Sequence, residues 1–265
     1  MANILIGTSG YSYTEWVGPV YPQGTTQKDY LGLYTGMFST VELNFSYYRM
    51  PTAEQLAHLA EQSQGKILFS IKANETLTHK IEPTAWKQQA DEFCKALQPL
   101  QQTGKLGAVL LQFPYSFHYE PDRRRYLDAL LRYLAPLPLA TEFRNGQWYN
   151  NRTFDALRER KVALVSLDLP ELNGLPPIID TVTSELAYIR LHGRNKETWW
   201  GSDAAARYDY LYSKQELTSW VQRIQAIARQ VATILVYFNN HRRGQAVANA
   251  KSLLELLRKK PDHER

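Results

Sequence analysis

Eight short apolar runs punctuate the chain: Ile4 to Gly7, Thr40 to Leu43, Leu68 to Ile71, Ala108 to Gln112, Leu139 to Glu142, Val162 to Ser166, Ala187 to Leu191 and Thr233 to Tyr237. Most are separated by segments of helical periodicity: Thr52 to Gln64, Ala85 to Leu97, Arg123 to Leu134, Asn151 to Arg160, Lys214 to Ala228 and Gln245 to Lys259. Strand-length runs rich in Val, Ile and Leu, joined by helices, suit a parallel sheet covered by those helices. Eight of them within 265 residues predict closure into a (β/α)8 barrel of the TIM type. An open doubly wound sheet is the competing fold. It ranks second because Gly7-Thr8-Ser9-Gly10 runs into Tyr11 and Tyr13, without a G-x-G-x-x-G turn opening a helix.

The barrel is expected to be irregular in two places. Gly18, Pro19, Pro22 and Gly24 leave only Gln27 to Thr35 for a helix after the first strand, and Pro170, Gly174, Pro176 and Pro177 forbid a long helix after the sixth. Linkers, low-complexity tracts and internal repeats are absent from the sequence, so residues 1–265 read as one domain with a core of about residues 4–257. The segment Met1 to Tyr13 lacks the basic start and apolar stretch of a signal peptide, and no apolar run reaches membrane-spanning length; a cytoplasmic location and no membrane contact are the expectation. Cys94 is the single cysteine and sits in an amphipathic helical segment, which favours a packed thiol over a catalytic one. A net charge of +5 is compatible with anionic partners without requiring them.

In such barrels functional groups are drawn from the C-terminal ends of the strands and the loops that follow. Here those ends carry Ser9 and Tyr11, Glu42 and Asn44, Lys72, Gln112, Glu142 and Arg144, Asp168, Arg190 and His192, and Asn239 and Asn240. Several are spaced two apart, as in VELN, TEFR and IRLH, which aims both members of a pair to one side of the sheet. Ion pairs that merely satisfy one another account for any single pair. Polar groups on all eight ends favour a functional mouth, because burying such groups unpaired costs several kcal/mol each. The arginines add a positive rim: Arg123, Arg124 and Arg125 open one helix, Arg242 and Arg243 precede the last, and Arg194 follows the seventh strand. A helix start ordinarily prefers negative side chains, so arginines there suit an anion; for the 123–125 triplet an exposed, solvated run is an equal reading, whereas the loops after strands seven and eight often bind phosphate and favour an anion at Arg242 and Arg243. Tyr48, Arg49, His79 and Trp148 fall in loops on the same face.

The ordered motifs GTSGYSYTEW, VELNFSYYRMP, FSIKANETLTH, LGAVLLQFP, TEFRNGQWY, IRLHGRN and VYFNNHRRGQAVANA resemble the YecE-like family, a bacterial and archaeal domain of unknown function. The resemblance runs from Ile4 to about Leu257 and implies a TIM-barrel-like architecture; it brings no established reaction. Asn145 departs from the family pattern, which implies a histidine after the E-F-R triplet, and Gly146-Gln147-Trp148 departs from a loop that normally reads toward S-W.

Three functional readings stand. The first is an enzyme, a hydrolase or lyase, acting on an anionic substrate that bears phosphate or derives from nucleic acid. Glu42, Glu142 and Asp168 are its acid or base candidates, Lys72 an electrophile or Schiff-base former, and His192 a proton carrier. Ser9, Tyr11, Asn44, Tyr48, Arg49, His79, Gln112, Arg144, Trp148, Arg190, Arg194, Asn239, Asn240, Arg242 and Arg243 are its substrate contacts. The second is nucleic-acid binding without catalysis, by basic and aromatic groups together. The third is a non-catalytic barrel that binds a metabolite. No cofactor motif is present. Glu42, Glu142, Asp168, His79 and His192 have the donor types of a divalent-metal site, but no paired-histidine spacing singles out ligands and none is assigned.

Overall fold

The structure, a computed structural model, describes residues 2–201 and 204–259. The strands are β1 (Asn3–Thr8), β2 (Thr40–Leu43), β3 (Leu68–Lys72), β4 (Leu106–Phe113), β5 (Leu139–Phe143), β6 (Ala163–Leu164), β7 (Ser166–Asp168), β8 (Leu186–Leu191) and β9 (Thr233–Phe238). All pairings between them are parallel. The eight apolar runs therefore became eight strand positions, with β6 and β7 sharing the sixth. The expected helices form at 53–62, 86–102, 121–133, 151–159, 214–227 and 245–258. Their starts follow local chemistry: Thr52 with Gln55 and Ser213 with Glu216 make reciprocal capping boxes, and the Asn150 side chain accepts from Thr153 N. The first crossover holds only two 3-10 turns, Thr14–Trp16 and Gln27–Asp29, and the six-residue helix Tyr30–Thr35, and no helix forms between β7 and β8. Among the described residues no helix is long and apolar enough to cross a membrane.

The ladder is not one continuous ring. It runs as two sheets, β1-β9-β8-β7 and β2-β3-β4-β5-β6. On one side the chain itself passes from sheet to sheet through Val165, whose N–H donates to Thr141 O at 3.0 Å. On the other side β1 and β2 meet only at their C-terminal ends, through a parallel bridge between Ser9 and Glu42 and a 2.7 Å bond from Gly10 N to Glu42 O. Below that bridge the Tyr34 hydroxyl is wedged into the seam: it accepts from Thr8 N and donates to Thr40 O, both at 3.0 Å. A phenol thus replaces a direct ladder bond. Gly7 is required at this seam, since a β-carbon there would lie 2.1 Å from Thr40 O. Tyr34→Phe leaves one buried donor and one buried acceptor unpaired, and an expected loss of about 1–3 kcal/mol is measurable by urea unfolding.

Two apolar layers result from the alternation of side chains. Trp16, Phe69, Phe93, Phe113, Trp220 and their neighbours fill the space between strands and helices. Leu5, Leu110, Ala140, Val165, Leu167 and Leu235 fill the barrel interior. Toward the C-terminal ends the interior turns polar: the Tyr237 hydroxyl lies 2.6 Å from Thr40 Oγ1 and 2.8 Å from Ser70 Oγ.

Candidate functional site

Alternation carries the inward face of each strand from this polar layer to the mouth. Thr40 leads to Glu42, Ser70 to Lys72, Leu110 to Gln112, Glu142 to Arg144, Tyr188 to Arg190 and His192, and Tyr237 to Asn239. The centre is Arg190. Its two terminal nitrogens donate to Glu42 Oε1 at 2.7 Å and to Glu142 Oε2 at 2.6 Å. Glu42 also accepts from the Tyr188 hydroxyl at 2.7 Å, and Glu142 accepts from Arg144 Nε. Both carboxylates are 0% exposed. Burial alone raises the Glu142 pKa, but Arg144 and then Arg190 outweigh it and hold it well below the usual carboxylate range. His192, fully buried, is held well below its ordinary value by burial and then by Arg144 and Arg190, so it is neutral. Asn239 Nδ2 lies 3.0 Å from His192 Nδ1 and Glu142 Oε1 lies 3.6 Å from Nε2. Arg144 Nη2, which can only donate, lies 3.2 Å from the same Nε2, so the neutral imidazole is held between an arginine and the Asn239 amide.

Above this cluster opens a cavity of about 750 Å³. Tyr11, Asn44, Tyr48, Lys72, His79, Gln112, Arg144, Arg190 and Asn239 line it, all expected site residues; with them come Tyr13, Tyr47, Arg207, Tyr208 and His241, which the sequence reading did not assign. Among the described residues the wall includes Lys72, Arg144, Arg190 and Arg207 and no carboxylate. Lys72 Nζ sits 4.1 Å from the centre of the Tyr47 ring. Among the described residues it makes no hydrogen bond and has no carboxylate within 4.0 Å. Burial first and Arg190 second lower its pKa from 10.5 to about 7, against the opposing pull of Glu142 and Glu42. His79 is lowered to about 4, by burial and then by Lys72, while burial and Glu75 raise Tyr47 to about 12.

Other expected site residues lie elsewhere, and parity explains the sharpest case. Leu167 is in register with Arg190 and faces inward, so Asp168, in register with Leu191, faces the helices. There it accepts two 2.7 Å bonds from Arg194 and one of 2.5 Å from Trp220 Nε1, tying the loop after β8 to helix 214–227. Asp168 and Arg194 are thus a structural pair outside the mouth. Asn240 has the same wrong parity and bonds Asn249 Oδ1 and Tyr210 O. Trp148 is buried between Phe143 and Phe117, with its indole N–H on Phe117 O at 2.7 Å. Arg242 pairs with Asp209, and Arg243 and Arg49 are exposed; none of the three lines the cavity. Arg123 and Arg124 stack on Phe117 and Tyr119 and Arg125 pairs with Asp122, so packing rather than an anion accounts for that triplet. Ser9 sits at the β1/β2 bridge, its hydroxyl buried without a partner among the described residues. Asn145 donates to Tyr115 O and His118 Nδ1 and accepts from Gln147 N, knitting two loops together beside a separate hollow. No three His, Cys, Asp or Glu side chains among the described residues converge as metal ligands. Tyr188 and Tyr237 were missed as interior groups, although each stands two residues before a polar residue of the same strand face.

A parallel α/β fold whose strand ends build one polar mouth defines the class: a TIM-barrel-like protein. The chain belongs to the family described as protein of unknown function DUF72, matched over residues 5–265, which is the family of unknown function that its motifs resemble. It is 28% identical over 269 residues to UPF0759 protein YunF of Bacillus subtilis (strain 168), covering 96% of this chain and 94% of that one. A DUF72 family protein from Thermotoga maritima MSB8 superimposes with a TM-score of 0.89 at 33% identity, covering 97% of this chain and 100% of that one. One from Enterococcus faecalis V583 gives 0.87 at 25%, covering 98% and 97%. A xylose isomerase-like TIM barrel/4-hydroxyphenylpyruvate dioxygenase fusion protein, at 14% identity and a TM-score of 0.55, shares the fold alone; it matches 96% of this chain and 43% of its own.

Proposed function

We propose that the protein is an enzyme that takes a small anionic organic molecule into the barrel mouth and acts on it with the Lys72 amine rather than with a carboxylate. The observation that carries this reading is the wall of the cavity: among the described residues it includes Arg144 and no carboxylate, and its Lys72 amine has no partner. A volume of about 750 Å³ suits a metabolite-sized ligand. Glu42 and Glu142 were the first acid and base candidates; both are buried behind Arg190, Glu42 with its oxygens taken by Arg190 and Tyr188, and Glu142 is held ionised by Arg144 and Arg190, with little basicity to use. Arg144 is the anion contact, because its side chain is 12% exposed and its second terminal nitrogen makes no hydrogen bond among the described residues. Charge-assisted bonds of this kind contribute about 1.5–3 kcal/mol.

Calorimetric titration with a panel of carboxylates and phosphate monoesters tests the reading. Binding is expected for anions and not for their neutral amides or alcohols, with Arg144→Met weakening it by about tenfold or more. Equal binding of neutral analogues, or no binding at all, ends the proposal. Oligonucleotides titrated at low salt form the comparison arm. Affinity for them that falls steeply with salt, in place of small-anion binding, supports the nucleic-acid reading instead.

A further inference from the structure

We propose that Lys72 forms an imine with the carbonyl carbon of a small aldehyde or ketone carrying a carboxylate or phosphate group, whose anionic end Arg144 holds. The inference rests on the mouth being an anion-binding catalytic site, and names the chemistry of its substrate.

Register places Lys72 opposite Leu110 on the inward face of β3, with its side chain in the cavity wall. A lysine normally ends in water or on a carboxylate. This one ends over an aromatic face, with no carboxylate within 4.0 Å among the described residues and with Arg144 and Arg190 in the same wall. Enclosure and the two arginines disfavour the ammonium and favour the free amine, whose lone pair is the nucleophile. The pKa of about 7 agrees with that geometry.

The step balances without a redox partner. The Lys72 nitrogen attacks the carbonyl carbon, one N–H proton passes to the oxygen by way of solvent or His79, and the carbinolamine loses water to give C=N. His79 lines the same cavity, and its Nδ1 lies 2.9 Å from Thr78 Oγ1, which leaves Nε2 for proton traffic. Protonation of the imine creates a cation where the free enzyme held a neutral amine. The face of Tyr47, 4.1 Å from Nζ, attracts that cation as it forms, so the ring favours the intermediate over the resting state. An iminium is an electron sink, and the reaction class that follows is cleavage or formation of a bond to the neighbouring carbon.

Borohydride trapping tests this on the full-length protein. The protein is incubated separately with pyruvate, with dihydroxyacetone phosphate and with acetone, reduced, digested and mapped by mass spectrometry. The expected result is a reduced adduct on Lys72 with pyruvate, with dihydroxyacetone phosphate or with both; which compound reacts separates carboxylate from phosphate recognition. Acetone is expected to give about tenfold less, as is Arg144→Met with the reactive anion. Lys72→Arg, checked for native circular dichroism, is expected to give none. If both anions bind by calorimetry but neither modifies Lys72, the imine is overturned while anion binding stands. If neither binds nor reacts, both readings fall. Equal modification by acetone overturns the role of Arg144.

Discussion

Replacing Arg190 by methionine is expected to remove about 3–5 kcal/mol of folding stability, a large part of what a domain possesses. Arg190 is 2% exposed and holds two carboxylates that are themselves 0% exposed. Methionine leaves Glu42 with only the Tyr188 hydroxyl and Glu142 with Arg144, so at least one charge is buried without adequate compensation. Either a carboxylate is then protonated on folding or water enters the barrel; both cost free energy. The expected signature is a lower urea midpoint that partly recovers as pH falls and the carboxylates protonate. The triple variant Glu42→Gln, Glu142→Gln, Arg190→Met is expected to regain most of the loss, because replacing all the charges together leaves none unpaired. A single Arg190→Met loss below about 1 kcal/mol would mean that the interior is wetter and more accommodating than this geometry allows.

The second large effect is a pH dependence traced to Lys72. Its pKa is about 7 in the folded protein and 10.5 ordinarily. Between those values the unfolded chain holds a proton that the folded chain has released. Stability therefore rises with pH across that window, by up to about 1.4 kcal/mol per unit. Below about pH 7 both states are protonated and the penalty for the enclosed ammonium is fully present. Lys72→Met, which cannot carry that charge, is expected to exceed the wild type in stability most at pH 6 and to lose its advantage by pH 10. Glu42, Glu142, Arg144, Arg190, His79 and Tyr47 surround the amine in both proteins, so the difference between the two unfolding curves isolates residue 72. Urea midpoints for both across this range provide the measurement. A gap that does not change with pH contradicts the lowered amine pKa.

The interior cluster was legible in part. Two-residue spacing in VELN, TEFR and IRLH put Glu42, Glu142, Arg144, Arg190 and His192 on one side, and the structure joins them in a single network. The same spacing read one residue further excludes Asp168 and Asn240, since a strand that turns Leu167 and Asn239 inward turns their neighbours out. Arginines at loop ends gave a weaker guide. Arg194, Arg242 and the 123–125 triplet have carboxylate or aromatic partners that lie distant in sequence or are hidden in local packing, and charge counting registers neither. Asn145 is a further instance: it stands where the family resemblance implies a histidine, yet it holds loops together outside the Lys72 cavity.

Eight apolar runs and the helices between them determined the TIM-like α/β fold, because periodicity and burial are local properties of the chain. The polar mouth was determined in outline for the same reason. Only the tertiary structure decided which of its charges remain available for chemistry. Arg190 pairs with Glu42 and Glu142 across strands 48 or more residues apart in sequence, with Arg144 as the second cation on Glu142, while Lys72 on the neighbouring strand finds no such partner among the described residues. Pairing and isolation of charges depend on distances across the barrel, and those distances exist only once the strands have come together.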